Sequence, residues 1–217
     1  MKATITGATG LVGRELVQLL LEDDRFRQIV VFGRRSLGLN HSKLTEHLIN
    51  FDTPGEWQHL IAGDVLFSTL GTTIKQAGSK EAQYRVDYTY QYEFANAASE
   101  NGIPVYVLVS AASASPGSRF FYSRMKGELE RDVKDLNFSA THIIQPGLLH
   151  GNRQENRTGE KFAFHILNAL NTVGLLKTYR PIHGKTVAQA MIHAALSNKN
   201  GTHLYTLDDV FELAGDL

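Results

Sequence analysis

The chain has 217 residues, 22 basic and 22 acidic side chains, 42% hydrophobic residues and no cysteine. That length suits one compact domain, able to bury roughly 70% of the surface its unfolded chain exposes, and 20% charged residues beside ample apolar content exclude a disordered chain. Zero formal charge leaves no electrostatic excess for gripping a phosphate backbone, so nucleic acid is not expected as a partner. Without cysteine there are no disulfides, thiolate nucleophiles or Cys-ligated zinc. The opening MKATITGATG lacks the apolar core of a signal peptide, and no apolar run approaches the ~20 residues of a membrane span. A cytoplasmic protein is the expectation.

Lys2–Thr6 reads as a strand meeting Gly7, and Leu11, Leu16, Leu19 and Leu20 line one face of the helix that follows. Gln28–Phe32 is apolar without alternation, as in a strand covered on both faces. His47–Phe51 is the expected third strand, and Thr53–Pro54 is a cap and first-turn pair for a helix near Glu56–Ile61. Val65–Leu70 is the fourth strand. Tyr84–Glu100 alternates partly like a strand, but it runs into Ala95–Ala98 and stops at Asn101–Gly102, so a helix is predicted. Pro104–Ser110 is the most apolar strand, and Phe121, Met125, Leu129, Val133 and Leu136 mark a long helix by their spacing. Ser139–Gln145 is a further strand, broken by Pro146–Gly147. Beyond it lie a polar loop, helices near Lys161–Leu170 and Val187–Leu196, and a short terminal pair of elements. Thr186 and Gln189 have capping-box spacing for the second of those helices. Strands alternating with helices predict an α/β, three-layer, doubly wound Rossmann domain with a mostly parallel sheet and a small C-terminal substrate-side portion.

Gly7, Gly10 and Gly13 join the first strand to the first helix. Residues without side-chain bulk let backbone N–H groups approach a pyrophosphate at the positive end of the helix. With 19 glycines, three at these offsets arise by chance in about one such chain in seven, so the strand-to-helix context carries the signal. About twenty residues on, where NAD-preferring domains place an acid for the ribose 2′-hydroxyl, stand Arg34 and Arg35. Guanidinium groups suit a 2′-phosphate. NADP(H) is therefore preferred, with NAD(H) as second choice.

Tyr122 and Lys126 form a Tyr-x-x-x-Lys pair on the long helix, just after the strand that ends at Ser110. Roughly 0.4 such pairs arise by chance in this composition, so again position decides. Positions i and i+4 share a helical face, and ligands of parallel sheets sit beyond the strands' carboxyl ends. An ammonium beside a tyrosine favours the phenolate, which fits a residue that passes a proton while hydride moves to or from nicotinamide. Ser110 would polarise a carbonyl, with Ser113 as a substitute. Nine histidines show no ligand spacing, so no metal is expected. Tyr84, Tyr88 and Tyr92 form a helical stripe, read as core packing first and a subunit interface second.

GATGLVG, the serine after the fifth strand and the YxxxK helix together resemble the short-chain dehydrogenase/reductase superfamily. FGRRSL (32–37), LGTT (70–73), KQAGSKEA (75–82), RVD (85–87), FYSRMKGELE (121–130), PGLL (146–149) and GNRQENRTGE (151–160) resemble its atypical branch, which includes the human Tat-interacting oxidoreductase-like protein and bacterial relatives. The resemblance implies that Thr9, Leu11 and Val12 line the pyrophosphate turn and that Asn50 and Phe51 border the adenine. By the same likeness Leu70, Gly71 and Thr72 run along the cofactor, and Pro146, Gly147 and Leu148 flank the nicotinamide. Gln145 departs from the usual arginine and Asn50 from a common aspartate. Arg153 and Arg157 are candidates for an anionic group on substrate or cofactor. The activity implied is oxidation or reduction of a small carbonyl/alcohol pair. An NADPH-binding regulator without turnover, or a nucleotide-sugar epimerase or dehydratase, are the alternatives. A homodimer or a regulatory protein partner is compatible with either.

Overall fold

Short apolar runs separated by amphipathic segments build the sheet the alternation predicts, here in a computed structural model that describes residues 1–150 and 180–215. The chain runs β1 (Lys2–Thr6), α1 (Leu11–Glu22), β2 (Gln28–Gly33), β3 (Leu44–Leu48), α2 (Pro54–Trp57) and β4 (Val65–Ser68). Next come α3 (Ile74–Ala77), α4 (Lys80–Tyr84), α5 (Tyr90–Glu100), β5 (Val105–Val109), α6 (Phe121–Lys134) and β6 (Ala140–Gln145). The strand pair β7 (Leu149–His150) and β8 (Ile182–His183), then α7 (Gly184–Ala195), β9 (Gly201–Thr206) and α8 (Asp208–Ala214) complete it.

Seven strands lie in the order β3-β2-β1-β4-β5-β6-β9, and every neighbouring pair is parallel. The chain winds outward from β1 in both directions, so the order reverses between β1 and β4 and opens a crevice beyond their carboxyl ends, where ligands of such sheets bind. Helices α1, α7 and α8 cover one face over Ile5, Val31, Phe67 and Val107. Helices α5 and α6 cover the other, over Phe32, Trp57, Phe94, Tyr106 and Leu108. Trp57 stacks on Phe94 at 4.8 Å, and Phe51 closes on both rings. This is the three-layer doubly wound architecture expected.

Three boundaries differ from the sequence reading. The third strand is Leu44–Leu48, not His47–Phe51. Phe51 attracted the assignment because it is apolar, but it lies past the strand, 3% exposed in the aromatic core, whereas the true strand pairs on one side only and stays half-exposed. The helix expected near Glu56–Ile61 is one turn at Pro54–Trp57 followed by a tighter turn over Gln58–Leu60. Thr186 is not the N-cap that its spacing with Gln189 suggests. Helix α7 starts two residues earlier, at Gly184, after His183, which makes no side-chain cap bond; Thr186 is buried inside the first turn. A Cβ on Gly184 would come within 2.9 Å of the Leu11 carbonyl oxygen, so close packing on α1 sets this start rather than a cap. Tyr84–Glu100 is helical as predicted, with one widened π turn over Arg85–Thr89. The helix expected at Lys161–Leu170, the loop 151–160, Arg153 and Arg157 lie outside the described residues.

Candidate functional site

The glycine turn is built by contact as much as by conformation. Gly7 has φ +80°, where a side chain is strained, and a Cβ there would run into the Thr69 backbone just past β4. A Cβ on Gly13 would strike the Gly7 carbonyl and come within 2.7 Å of the Thr69 hydroxyl oxygen. Thr69 is itself tied to β1, with its N–H and its hydroxyl both donating to the Thr6 carbonyl at 3.0 and 2.8 Å. Gly10 precedes α1, and with no side-chain cap and no acidic residue in the first turn the helix N-terminus keeps its positive end uncompensated. Thr9 and Leu11 are half-buried at this turn, and Val12 is in the core beneath it. The Thr9 carbonyl accepts from Arg14 Nε at 3.0 Å.

Arg34 and Arg35 follow β2 directly, both exposed, and neither forms a hydrogen bond or ion pair among the described residues. The nearby acid, Glu46 on β3, is occupied instead by the Ser36 hydroxyl at 3.0 Å and the Leu37 N–H at 2.8 Å. Asn50 is exposed, its Oδ1 accepting from the Asp52 N–H at 3.1 Å. Phe51 faces the core, so at an adenine only its backbone is available.

Leu70, Gly71 and Thr72 follow β4 and reach α4 and the π turn after it. The Thr72 N–H donates to Asp87 Oδ2 at 2.8 Å, and Gln83 Nε2 donates to the Thr72 carbonyl at 3.2 Å. Pro146, Gly147 and Leu148 leave β6; the Pro146 carbonyl accepts from Ala112 N–H at 3.3 Å and the Leu148 carbonyl from Ile182 N–H at 2.9 Å.

Ser110 directly follows β5, and Tyr122 and Lys126 lie on α6, whose Lys126 reaches the end of that strand. Ser110 is 5% exposed, and its Oγ has no hydrogen-bond partner among the described residues. A buried hydroxyl left unpaired costs about 1–3 kcal/mol, so a ligand oxygen that paired it would be favoured there. Ser113, the substitute, is exposed and accepts from the Ser123 hydroxyl at 3.0 Å. Tyr122 stands 43% exposed at the first turn of α6. One turn on, Lys126 is 3% exposed, with Nζ 3.3 Å from the Val109 carbonyl, the residue before Ser110. Burial pushes its ammonium below the usual lysine range, and the carboxylates of Asp87 and Glu130 oppose that shift.

The sequence reading missed four contributors. Asp87 is 2% exposed on the π turn and Glu130 is 6% exposed one turn below Lys126. Glu130 accepts from Gln145 Nε2 at 2.9 and 3.0 Å, so the residue standing in place of the usual arginine holds the carboxylate without neutralising it. Gln91, fully buried, accepts from the Ser68 hydroxyl at 2.8 Å and donates to the Asp87 carbonyl at 2.7 Å. Gly127 lets the loop after β5 press onto α6, since a Cβ would strike the Ser115 backbone. Lys126 and Glu130 each sit one residue beyond the apolar positions Met125 and Leu129, a signal for Glu130; nothing in spacing singles out Asp87.

Among the described residues no three His, Cys, Asp or Glu side chains gather as a metal site, and no helix is long and apolar enough to cross a membrane.

Residues 7–197 match a family model described as NAD(P)H-binding. Full-length relatives are the fungal proteins called "Protein FMP52, mitochondrial": that of Coccidioides immitis is 36% identical over 97% of this chain and 92% of its own, and that of Saccharomyces cerevisiae 32% over 100% and 98%. Those names overturn the cytoplasmic expectation: lack of cysteine separates reducing from oxidising compartments, not cytosol from organelle. Among solved structures, a short-chain dehydrogenase/reductase superfamily protein from Agrobacterium tumefaciens with bound NAD superposes with a TM-score of 0.72 at 13% identity, covering 95% of this chain and 77% of that one. MoeE5 in complex with UDP-glucose and NAD gives 0.71 at 16%, covering 100% and 81%. With the sheet order and glycine turn in place, the chain belongs to the NAD(P)H-binding family, and it shares the fold of these short-chain dehydrogenase/reductase and NAD-bound structures.

Proposed function

We propose that this protein is an NADP(H)-dependent oxidoreductase acting on a small carbonyl/alcohol pair. The observation that carries the reading is the unpaired, buried Ser110 hydroxyl beside the helix bearing Tyr122 and Lys126. The glycine turn and the uncapped start of α1 suit the pyrophosphate, and the free guanidinium groups of Arg34 and Arg35 suit a 2′-phosphate. When bound, the nicotinamide supplies or takes the hydride at the substrate carbon. In the reducing direction Ser110 donates to the substrate oxygen and orients it, and Tyr122 gives the proton that completes the alcohol. Lys126 would stabilise the phenolate left behind and is the residue that would hold the nicotinamide ribose. Oxidation runs through the same groups with the proton returning to Tyr122.

NADPH binding followed by a screen of carbonyl compounds tests this. Tyr122→Phe is expected to bind NADPH within a few-fold of wild type and to lose about 10²–10⁴ in turnover. Unchanged turnover would remove Tyr122 from the reaction. A second reading is an NADPH-binding regulator without turnover. Its mark is stoichiometric cofactor binding with no oxidation by any carbonyl and a partner affinity that changes with NADPH.

A further inference from the structure

Arg14 is an exposed residue near the start of α1. Helical side chains lean toward the N-terminus of their helix, and this one folds back over the glycine turn, where its Nε donates to the Thr9 carbonyl at 3.0 Å. That bond fixes the guanidinium plane at Nε. The opposite edge, formed by Nη1 and Nη2, has no partner among the described residues, and it is the fork whose spacing matches two oxygens of a carboxylate or phosphate. Arg25, Arg85, Arg124, Arg131 and Arg180 each stand beside a carboxylate instead.

On local grounds a cation is misplaced here. The start of a helix is already positive, and α1 has neither a capping side chain nor an acidic residue in its first turn. A guanidinium drawn back toward that end adds charge of the same sign, and the bond to Thr9 holds it there rather than letting it swing into solvent. An anion seated on the turn would relieve both.

We propose that Arg14 is a phosphate ligand of the glycine turn: Thr9 holds its Nε, and its Nη edge takes oxygen of the dinucleotide's pyrophosphate, the group common to NADH and NADPH. The inference rests on the proposed function for the identity of this ligand; the contact between Arg14 and Thr9 stands without it. The guanidinium groups of the crevice then divide by task, with Arg14 serving either coenzyme and Arg34 and Arg35 the 2′-phosphate alone.

A brace that merely stiffens the turn is the rival role, and side-chain length separates the two. Glutamine carries its amide nitrogen as many bonds from Cα as arginine carries Nε, so Arg14→Gln keeps a donor for the Thr9 carbonyl while the charge and the Nη edge are gone. By calorimetry Arg14→Gln is expected to weaken NADH and NADPH alike by about tenfold or more, the loss that charge-assisted hydrogen bonds to one group imply. It should melt within about 2 °C of wild type, as substitutions at exposed positions do. Affinities unchanged in Arg14→Gln but reduced in Arg14→Met would make the arginine a brace and overturn the proposal, as would weaker binding accompanied by a larger fall in melting temperature. Weakening of NADPH with NADH unmoved would send the guanidinium to the 2′-phosphate and overturn it equally. Should Arg14→Gln not fold, Arg14→Lys decides: it keeps the charge without the planar fork and must still weaken NADH about threefold or more, equal affinity overturning the proposal. If wild type binds neither coenzyme, the function proposed above fails and inorganic pyrophosphate judges Arg14 alone. Weaker pyrophosphate binding in Arg14→Gln than in wild type then sustains the phosphate role, and equal binding, or none in wild type, overturns it.

Discussion

Gly127→Ala sets two known effects against each other inside the helix that carries Tyr122 and Lys126. On propensity alone, replacing a mid-helix glycine by alanine stabilises by about 1 kcal/mol. Here the new methyl would be driven into the Ser115 backbone, with Ser115 Cα at 2.6 Å and the adjoining Pro116 nitrogen also in its path. Backbone cannot rotate away as a flexible side chain can, so the loop after β5 must lift. Lifting stretches the 2.9 Å bond from the Ser115 N–H to the Ser123 carbonyl, a loss of about 1 kcal/mol. Overpacking of this kind costs typically about 1–3 kcal/mol. The sum favours the clash, and a net loss of about 1–3 kcal/mol is expected, or a fall in melting temperature of roughly 2–4 °C per kcal/mol for a domain of this size. Urea titration of wild type and variant measures it. The same loop begins at Ser110, so turnover should fall by more than NADPH affinity does. A variant more stable than wild type by 0.5 kcal/mol or more, roughly the propensity gain, would refute the close approach of loop and helix.

Arg34→Ala combined with Arg35→Ala should weaken NADPH about tenfold or more, as expected for lost charge-assisted bonds, and leave NADH nearly unchanged by calorimetry; equal weakening of both would remove the 2′-phosphate role. Ser110→Ala removes a hydroxyl that has no partner, so thermal stability should hold or rise slightly while turnover drops, and a marked loss of stability would contradict the unpaired geometry. Burial, then the charges of His203 and Lys199, push His142 down to about 4 from its usual 6.5. The unfolded chain therefore binds this proton first. The stability from neutral His142 is whole above pH 6.5 and is lost as pH falls toward 4, by roughly 3 kcal/mol at most. In urea titrations at pH 7 and 4.5, His142→Phe should narrow the gap between the two; an unchanged gap would exclude His142 as its source.

What could be read from the chain follows from how far each signal reaches along it. Buried strands such as Gln28–Phe32 and Pro104–Ser110 announce themselves because both faces are covered and every position is apolar. Edge strand β3 is half-exposed, and its Leu44, Thr45 and Glu46 look like loop; His47 is half-buried and stacks on Phe32 at 4.8 Å. The start of α7 was misjudged for a related reason. Thr186 has the chemistry of a cap, but Gly184 sits where only a residue without Cβ can approach Leu11, more than 170 positions away. Local chemistry proposed one boundary and a distant surface imposed another.

The site divides along the same line. The candidates Gly7, Gly10, Gly13, Ser110, Tyr122 and Lys126 stood out because turn geometry and helical spacing are local properties. The carboxylates whose charge acts on Lys126 did not, since Asp87 lies 39 positions upstream, on a π turn that no spacing rule anticipates. That asymmetry has a physical basis. A buried ammonium is stable only with compensating charge nearby, and a sheet of parallel strands brings its chemistry to one edge from many separate loops. A Tyr-x-x-x-Lys pair therefore states where protons move, while the acidity that makes the lysine useful is specified by whichever carboxylates the fold delivers beside it. Here two carboxylates surround one lysine, and Gln145 leaves Glu130 its full charge. Replacing Gln145 by arginine would draw Glu130 into a pair of its own and leave Asp87 as the main support of Lys126. Gln145→Arg should therefore lower the titration midpoint of Lys126, followed by NMR, and an unmoved midpoint would mean that Glu130 contributes nothing to the lysine.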